Sequence, residues 1–266
     1  MDISFIFPLT EFNGVIGNHF NATITNIKPY VTGGANIILV HTDSELCSSV
    51  EGILTEKHGI NKDDITIVKS KSDNYFDMIN TAVYSCVSKY FTVIQCEDIM
   101  EEKWIDDVQY HIQNQKNERY DMYIPLTWNY KSKGSITLDD EFAGFTNEIA
   151  LSSSFSDNLG EITFESLETF SEYTLTGAVI KTDDFITVGG FKPSLTPFVI
   201  REFLMRYTHN ERRPYVIPKC GYRRYLNVEN SYKNVYFGEH MDSNTYQKMK
   251  SVCDEEYKHK TCSYEG

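Results

Sequence analysis

The chain has 266 residues, of which 41% are hydrophobic and 14% aromatic. That is enough apolar side chain for one sizeable core, and it excludes a wholly disordered chain. The formal net charge of −13 argues against a nucleic-acid-binding face, which needs clustered Lys and Arg to meet phosphates.

Ile3 to Phe7 is a short apolar run ended by Pro8, which predicts a strand followed by a loop. Phe20, Ile24 and Ile27 recur at helical spacing, with Pro29 closing the segment. Ile37-Ile38-Leu39-Val40 is a continuous apolar run, as expected of a strand buried on both faces. Leu46, Val50, Ile53 and Leu54 mark an amphipathic helix, with Gly59 as its C-terminal cap. Ile65 to Val68 is a third strand. Ser72 and Asp73 are N-cap candidates for the clearest helix, where Phe76, Ile79, Val83, Val87 and Tyr90 repeat at spacings of three and four. A fourth strand, 91–94, then runs into Gln95, Cys96 and the adjacent carboxylates Glu97 and Asp98, and Trp104, Val108 and Ile112 mark another helix.

Strand and helix thus alternate four times over residues 1–115. This predicts an α/β fold with a mixed, mainly parallel sheet flanked by helices. Right-handed crossovers place the strand ends, Pro8, Asp43 and Glu97 among them, along one edge. Met122 to Leu126 is a further strand. Residues 129–172, rich in Ser, Thr, Asp, Glu and Gly, read as surface loops and short strands, or as a lid or acceptor-binding loop. Tyr173 to Lys181 returns to alternating apolar character, and 199–207 is helical through Val199, Phe203 and Tyr207. The division expected is one domain over 1–225 with a C-terminal extension, 226–266, packed on it.

The remaining signals are mostly exclusions. The cysteines at 47, 86, 96, 220, 253 and 262 form no Cys-x-x-Cys pair, which speaks against a zinc site. Cys47, Cys86 and Cys96 fall in apolar segments as reduced core residues, while Cys253 and Cys262 are free to pair. The N-terminus lacks a signal-peptide pattern, and no apolar run reaches the ~18 residues of a membrane span, so a cytoplasmic protein is expected. The basic pairs Arg212-Arg213 and Arg223-Arg224 read as solvated surface.

Glu97 and Asp98 carry the chemistry. Acids at the carboxyl end of a strand sit where open α/β sheets bind ligands. Two hard oxygen donors there suit Mg²⁺ or Mn²⁺ against a diphosphate; the alternative is a capping pair for the helix of Trp104. Four other pieces stand in order around them. These are Ile6-Phe7-Pro8-Leu9-Thr10-Glu11 after the first strand, Val40-His41-Thr42-Asp43 after the second, and Asn80 on the helix before the acids. Last comes Gly177-Ala178 with Val188-Gly189-Gly190-Phe191, followed by Glu202 on a helix.

In order and spacing these five pieces resemble the family 2 glycosyltransferases, which have the GT-A fold, over roughly residues 1–220. The resemblance implies transfer of a sugar from a nucleoside diphosphate donor to a glycan or other hydroxyl acceptor, with inversion and with Mn²⁺ or Mg²⁺. It implies that Pro8, Thr10, Asp43, Asn80 and Gln95 border the nucleotide and that Glu97 and Asp98 hold the metal. Gly189, Gly190 and Trp128 would contact sugar, and Glu202 would be the general base. Each has a plainer alternative: Asp43 an N-cap, the glycines a turn, Glu202 an ion pair with Arg206 four residues on, Trp128 and Tyr130 core packing, and His240 a structural residue rather than a late metal ligand. Glu11 and Glu202, the latter where Asp is usual, depart from the family's pattern, and one further position departs most. Where an Asp is usual, two before Glu97, this chain has Gln95, which brings no charge to a metal. A catalytically degenerate GT-A binding or structural protein is therefore the alternative. A nucleotidyltransferase would want a basic glycine-rich loop, and Asn13-Gly14-Val15-Ile16-Gly17 has no Lys or Arg.

Overall fold

The computed structural model describes residues 1–9, 14–114, 120–131, 141–147, 160–170, 173–196, 198–226 and parts of 248–257. Its first half alternates strand and helix: β1 (Ile3–Pro8), α1 (Gly14–Thr32), β2 (Asn36–His41), α2 (Ser44–Gly52), β3 (Ile65–Lys69), α3 (Tyr75–Tyr84), β4 (Tyr90–Val93), β5 (Ile99–Met100) and α4 (Trp104–Asn114). The second half runs β6 (Met122–Lys131), β7 (Glu141–Thr146), α5 (Phe164–Thr169), β8 (Val179–Lys181), α6 (Thr182–Thr187), α7 (Val199–His209) and β9 (Pro214–Leu226). The strands form one sheet in the order β3-β2-β1-β4-β8-β6-β9-β5, with β7 on β6. The half from β3 to β4 is entirely parallel. β8 enters antiparallel between β4 and β6, and β6 pairs in parallel with β9. The expected mixed α/β sheet with flanking helices is what forms.

Alternation along β1 divides the core. Ile3, Phe5 and Phe7 pack on Phe20, Ile24, Ile27 and Val31 of α1 and on α2 and α4. Ile6, with Ile38 and Val40 of β2, faces Phe76, Ile79 and Val83 of α3 and Phe203 of α7. With both faces covered, the continuous apolar runs of β1 and β2 are fully buried, as parallel strands require.

Three boundaries differ from expectation. Pro29 does not close α1, which continues to Thr32. The lost N–H bond is offset by Ile27 and Val31, both buried against the sheet on either side of the proline. The N-cap of α3 is Asn74, whose side chain accepts from Phe76 and Asp77, and not Ser72 or Asp73. That helix ends at Tyr84: Val87 is 94% exposed, and Tyr90 already belongs to β4. Gly59 does take a left-handed backbone, φ +63°, but after a π-helical turn over Ile53–Lys57. Among the described residues, no helix is long and apolar enough to cross a membrane, and Cys47, Cys86, Cys96 and Cys220 are free thiols.

Candidate active site

The parallel strands β1, β2 and β4 end on one edge, and the site is built there. β1 ends at Pro8, beside Val40 of β2. β2 ends before Asp43, which caps α2 by accepting from the Glu45 N–H at 2.8 Å. Its strand-end position and its capping role hold together. β4 gives way to a turn at Gln95–Asp98, closed by the Asp98 N–H on the Gln95 carbonyl at 3.1 Å. Helix α1 fixes this turn through its carbonyls. His19 Nδ1 meets the Glu97 carbonyl at 2.7 Å, Thr23 Oγ1 donates to the Asp98 carbonyl at 3.2 Å, and Asn26 donates to that of Met100 at 2.8 Å. From the other side, the Tyr225 N–H of β9 donates to Asp98 Oδ1 at 2.9 Å. Glu97 is 4% exposed and Asp98 fully buried.

Gln95 is part of this packing. Its N–H donates to the Tyr222 hydroxyl at 3.0 Å, and its side-chain amide reaches the Tyr75 hydroxyl at 3.3 Å and Thr176 Oγ1 at 3.4 Å. A neutral amide suits a position between two hydroxyls. Burial, together with the charges of Glu97 and Asp98, pushes the Cys96 thiol far up, so it stays protonated and inert between the acids and Gln95. Burial does the same to the Tyr222 hydroxyl, again with Asp98 contributing.

A second group surrounds the glycine pair. Gly189 and Gly190 both have positive φ, +89° and +63°. The Asn80 side chain clamps the next residue from both sides: its Oδ1 accepts the Phe191 N–H, and its Nδ2 donates to the Phe191 carbonyl, each at 2.9 Å. Beneath, Arg206 donates to the Val188 and Gly190 carbonyls and forms a bidentate pair with Glu202, both contacts 2.9 Å. Lys192 meets Glu202 at 2.7 Å and the Tyr257 hydroxyl donates to it at 2.5 Å. Burial alone would raise the Glu202 carboxyl, but the hydrogen bonds from Arg206, Lys192 and Tyr257 hold it below its ordinary value. A small apolar pocket, about 20 Å³, lies between the two groups; Tyr75, Val93, Thr176, Phe191 and Ile200 line it.

The Asn80 clamp gives Gly190 a testable demand. A Cβ there would stand 2.7 Å from Asn80 Oδ1, whereas one on Gly189 meets only Arg206, at 3.8 Å. Both substitutions force an L-residue into a left-handed backbone, at about 1–3 kcal/mol. Gly190→Ala should therefore melt several degrees below Gly189→Ala. Equal melting temperatures would mean that the clamp contributes nothing.

Trp128 lies in a third place, on β6. It stacks on Tyr130 (6.3 Å, 23°), which stacks on Tyr225 (5.3 Å, 19°), whose ring lies 4.1 Å from His19. An aromatic row therefore runs from β6 to the acidic turn. Thr10, Glu11 and His240 lie outside the described residues, as do Cys253 and Cys262.

Among the described residues, no three His, Cys, Asp or Glu groups cluster as a metal cage. Glu97 and Asp98 nevertheless fit a metal of the kind expected, since Mg²⁺ is usually held by one or two carboxylates plus substrate phosphates. No local sequence pattern marks the side chains that brace the site from afar: Tyr75, Thr176, Tyr222, His19 and Tyr257. The basic pairs are partly solvated, as expected of surface charge, and three of their four arginines are also ion-paired. Arg212 pairs with Asp184, Arg213 with Glu161 and Arg223 with Glu101, while Arg201 pairs with Asp254.

No protein-family model matches the sequence, and no curated protein matches it. Solved structures do. TarS of S. aureus, residues 1–349, superposes with a TM-score of 0.60 at 11% identity, over 100% of this chain and 74% of that one. The mannosyltransferase PcManGT of Pyrobaculum calidifontis, solved with GDP-Man and Mn²⁺, gives 0.59 at 11% identity, over 86% and 58%. GalNAc-T7, solved with UDP, GalNAc and Mn²⁺, gives 0.60 at 11% identity, over 96% and 49%. The chain thus spans three-quarters of the first and about half of the other two. All three are GT-A-type glycosyltransferases, and this protein has the GT-A glycosyltransferase-like fold.

Proposed function

We propose that the protein is a glycosyltransferase that moves a sugar from a nucleoside diphosphate donor to an acceptor hydroxyl. The observation that carries this is the Glu97-Asp98 turn, braced by α1 and β9 at the carboxyl edge of the parallel strands of a GT-A fold. The ligands of the structural neighbours support it: UDP-GlcNAc on TarS, GDP-Man on PcManGT and UDP on GalNAc-T7. The nucleotide would lie over the ends of β1 and β2, bordered by Pro8, Thr10 and Asp43. Residues 1–225 would form the catalytic domain, with 226–266 as an extension.

Glu97 and Asp98 would hold Mn²⁺ or Mg²⁺ together with the diphosphate. When bound, the metal neutralises charge on the leaving group. Transfer would proceed with inversion: the acceptor oxygen bonds to the anomeric carbon as the bond from that carbon to the diphosphate breaks, and the hydroxyl proton passes to a base. We assign Glu202 to positioning rather than to that proton. A carboxylate held low by Arg206, Lys192 and Tyr257 is a poor acceptor; through Arg206 it fixes the turn that would face the sugar. Gln95, Tyr75 and Thr176 keep the floor of the site neutral and rigid.

Calorimetry with UDP, GDP and their sugars tests this, with and without Mn²⁺. One nucleotide should bind, more tightly with Mn²⁺, while Mn²⁺ alone should bind weakly because no third protein ligand is present among the described residues. Folded protein that binds no nucleotide would overturn the assignment in favour of a non-catalytic scaffold.

A further inference from the structure

The described arginines of this acidic chain are nearly all ion-paired, although many of its described lysines are not. Among the described residues, arginines 201, 206, 212, 213 and 223 each pair with a carboxylate. Arg224 pairs with none, and its Nε is buried without a hydrogen-bond partner. Directly beside it, in register across β6 and β9, stands Asn129; two residues earlier on each strand, Thr127 stands beside Tyr222. Side chains two apart on a strand share a face, so Thr127, Asn129, Tyr222 and Arg224 form one patch. Asn129 Oδ1 and Thr127 Oγ1 are also buried and without partners. Buried polar atoms left unsatisfied on one patch call for a ligand or ordered water.

The patch has direction, and although Thr127, Tyr222 and Asn129 are buried it has open space on one side. Its inner end is the Tyr222 hydroxyl, which accepts the Gln95 N–H at the end of β4. Its outer end is Arg224, next in sequence to the residue whose N–H holds Asp98. On the β7 side the neighbour of Asn129 is Gly144, where an added Cβ would meet nothing within 4 Å. In the sheet order, β6 and β9 lie across β4 from β1 and β2, the side opposite the proposed nucleotide.

We infer that Arg224, Asn129 and Thr127 form an acceptor subsite for a hydroxylated anion, a sugar or polyol bearing a phosphate or a carboxylate. This rests on the glycosyltransferase reading for the word acceptor. The guanidinium pairs with the anion, the Asn129 carbonyl oxygen accepts from a neighbouring hydroxyl, and Thr127 completes the set. The acceptor would thus be held by its charge on the far side of the acidic turn from the donor.

The test is titration of the full chain, by calorimetry or ligand-observed NMR, with glycerol 3-phosphate, glucuronate, inorganic phosphate and, as neutral controls, glycerol and glucose. The wild type should bind at least one of the two hydroxylated anions, and bind it more tightly than its neutral control and than inorganic phosphate. Which of the two binds identifies the anionic group. Arg224→Gln should weaken that binding about tenfold or more. Asn129→Asp, which places an internal carboxylate beside Arg224, should weaken it comparably and covers the case in which Arg224→Gln fails to fold. Anions that bind no better than the neutral controls, or variants that bind like the wild type, would overturn the subsite. UDP and GDP titrations of the same wild-type sample separate the two claims. Anion binding without nucleotide binding leaves the subsite standing and removes the enzyme; the reverse does the opposite.

Discussion

Asp98→Asn should weaken Mn²⁺-dependent nucleotide binding about a hundredfold or more, and sugar transfer with it. The substitution keeps the shape of the side chain and an oxygen for the Tyr225 N–H, which now meets Asp98 Oδ1 at 2.9 Å, so the β9 attachment persists. What it removes is one of the two negative charges that a divalent ion would see. Loss of a residue that merely orients a metal ligand costs about 10–100-fold in affinity, and a ligand itself should cost at least the upper end. The measurement is the dissociation constant for the nucleotide found in the calorimetric screen, with and without Mn²⁺, alongside a melting curve to establish folding. A folded variant that titrates like the wild type would show that Asp98 serves only to hold β9 and is no metal ligand.

The second large effect concerns stability. Glu202 is 1% exposed and its partner Arg206 is buried too. Arg206→Ala strands the carboxylate with Lys192 and Tyr257 and frees the carbonyls of Val188 and Gly190. Removing one partner of a buried pair costs about 3–5 kcal/mol, a fall of roughly 10 °C in melting temperature for a chain of this size. Removing both, as Glu202→Gln with Arg206→Met, should cost clearly less, because no buried charge is left uncompensated. A double variant as unstable as the single one would deny the pair its role. The pH dependence has a definite sign. The folded carboxyl lies below its ordinary value of 4.5, so the stability it contributes is present above that pH and is lost as pH falls through the folded value. The double variant should lack this component of the acid-side decline.

The strands were legible because burial on both faces writes itself as unbroken apolar runs, as in Ile37 to Val40. The helix ends were less so. Pro29 looks like a stop until Ile27 and Val31 are seen buried on either side of it, and Val87 fits a helical period while standing almost fully exposed. At the site, the acids were legible as residue types at a strand end. Their support was not: Gln95 meets Tyr222 across 127 positions and Thr176 across 81, and no local pattern encodes such contacts. Glu202 and Arg206, four apart, were visible as a pair, but spacing cannot distinguish a solvated pair from one sealed beneath a glycine turn. Arg224 was lost in the opposite way. Beside Arg223 it looked like surface charge, and only the commitment of Arg223 to Glu101 sets it apart.

The chain contains two tryptophans, and both border the site. Trp104 is sealed, its indole N–H donating to the Gly177 carbonyl at 2.7 Å and its ring filling the space that Gly221 leaves open. Trp128 is half-buried at the end of the aromatic row that reaches the acidic turn. Emission excited selectively at tryptophan therefore comes from this neighbourhood, with one emitter shielded as an internal standard and the other half-buried in the row. The fold carries its own optical gauge for occupancy.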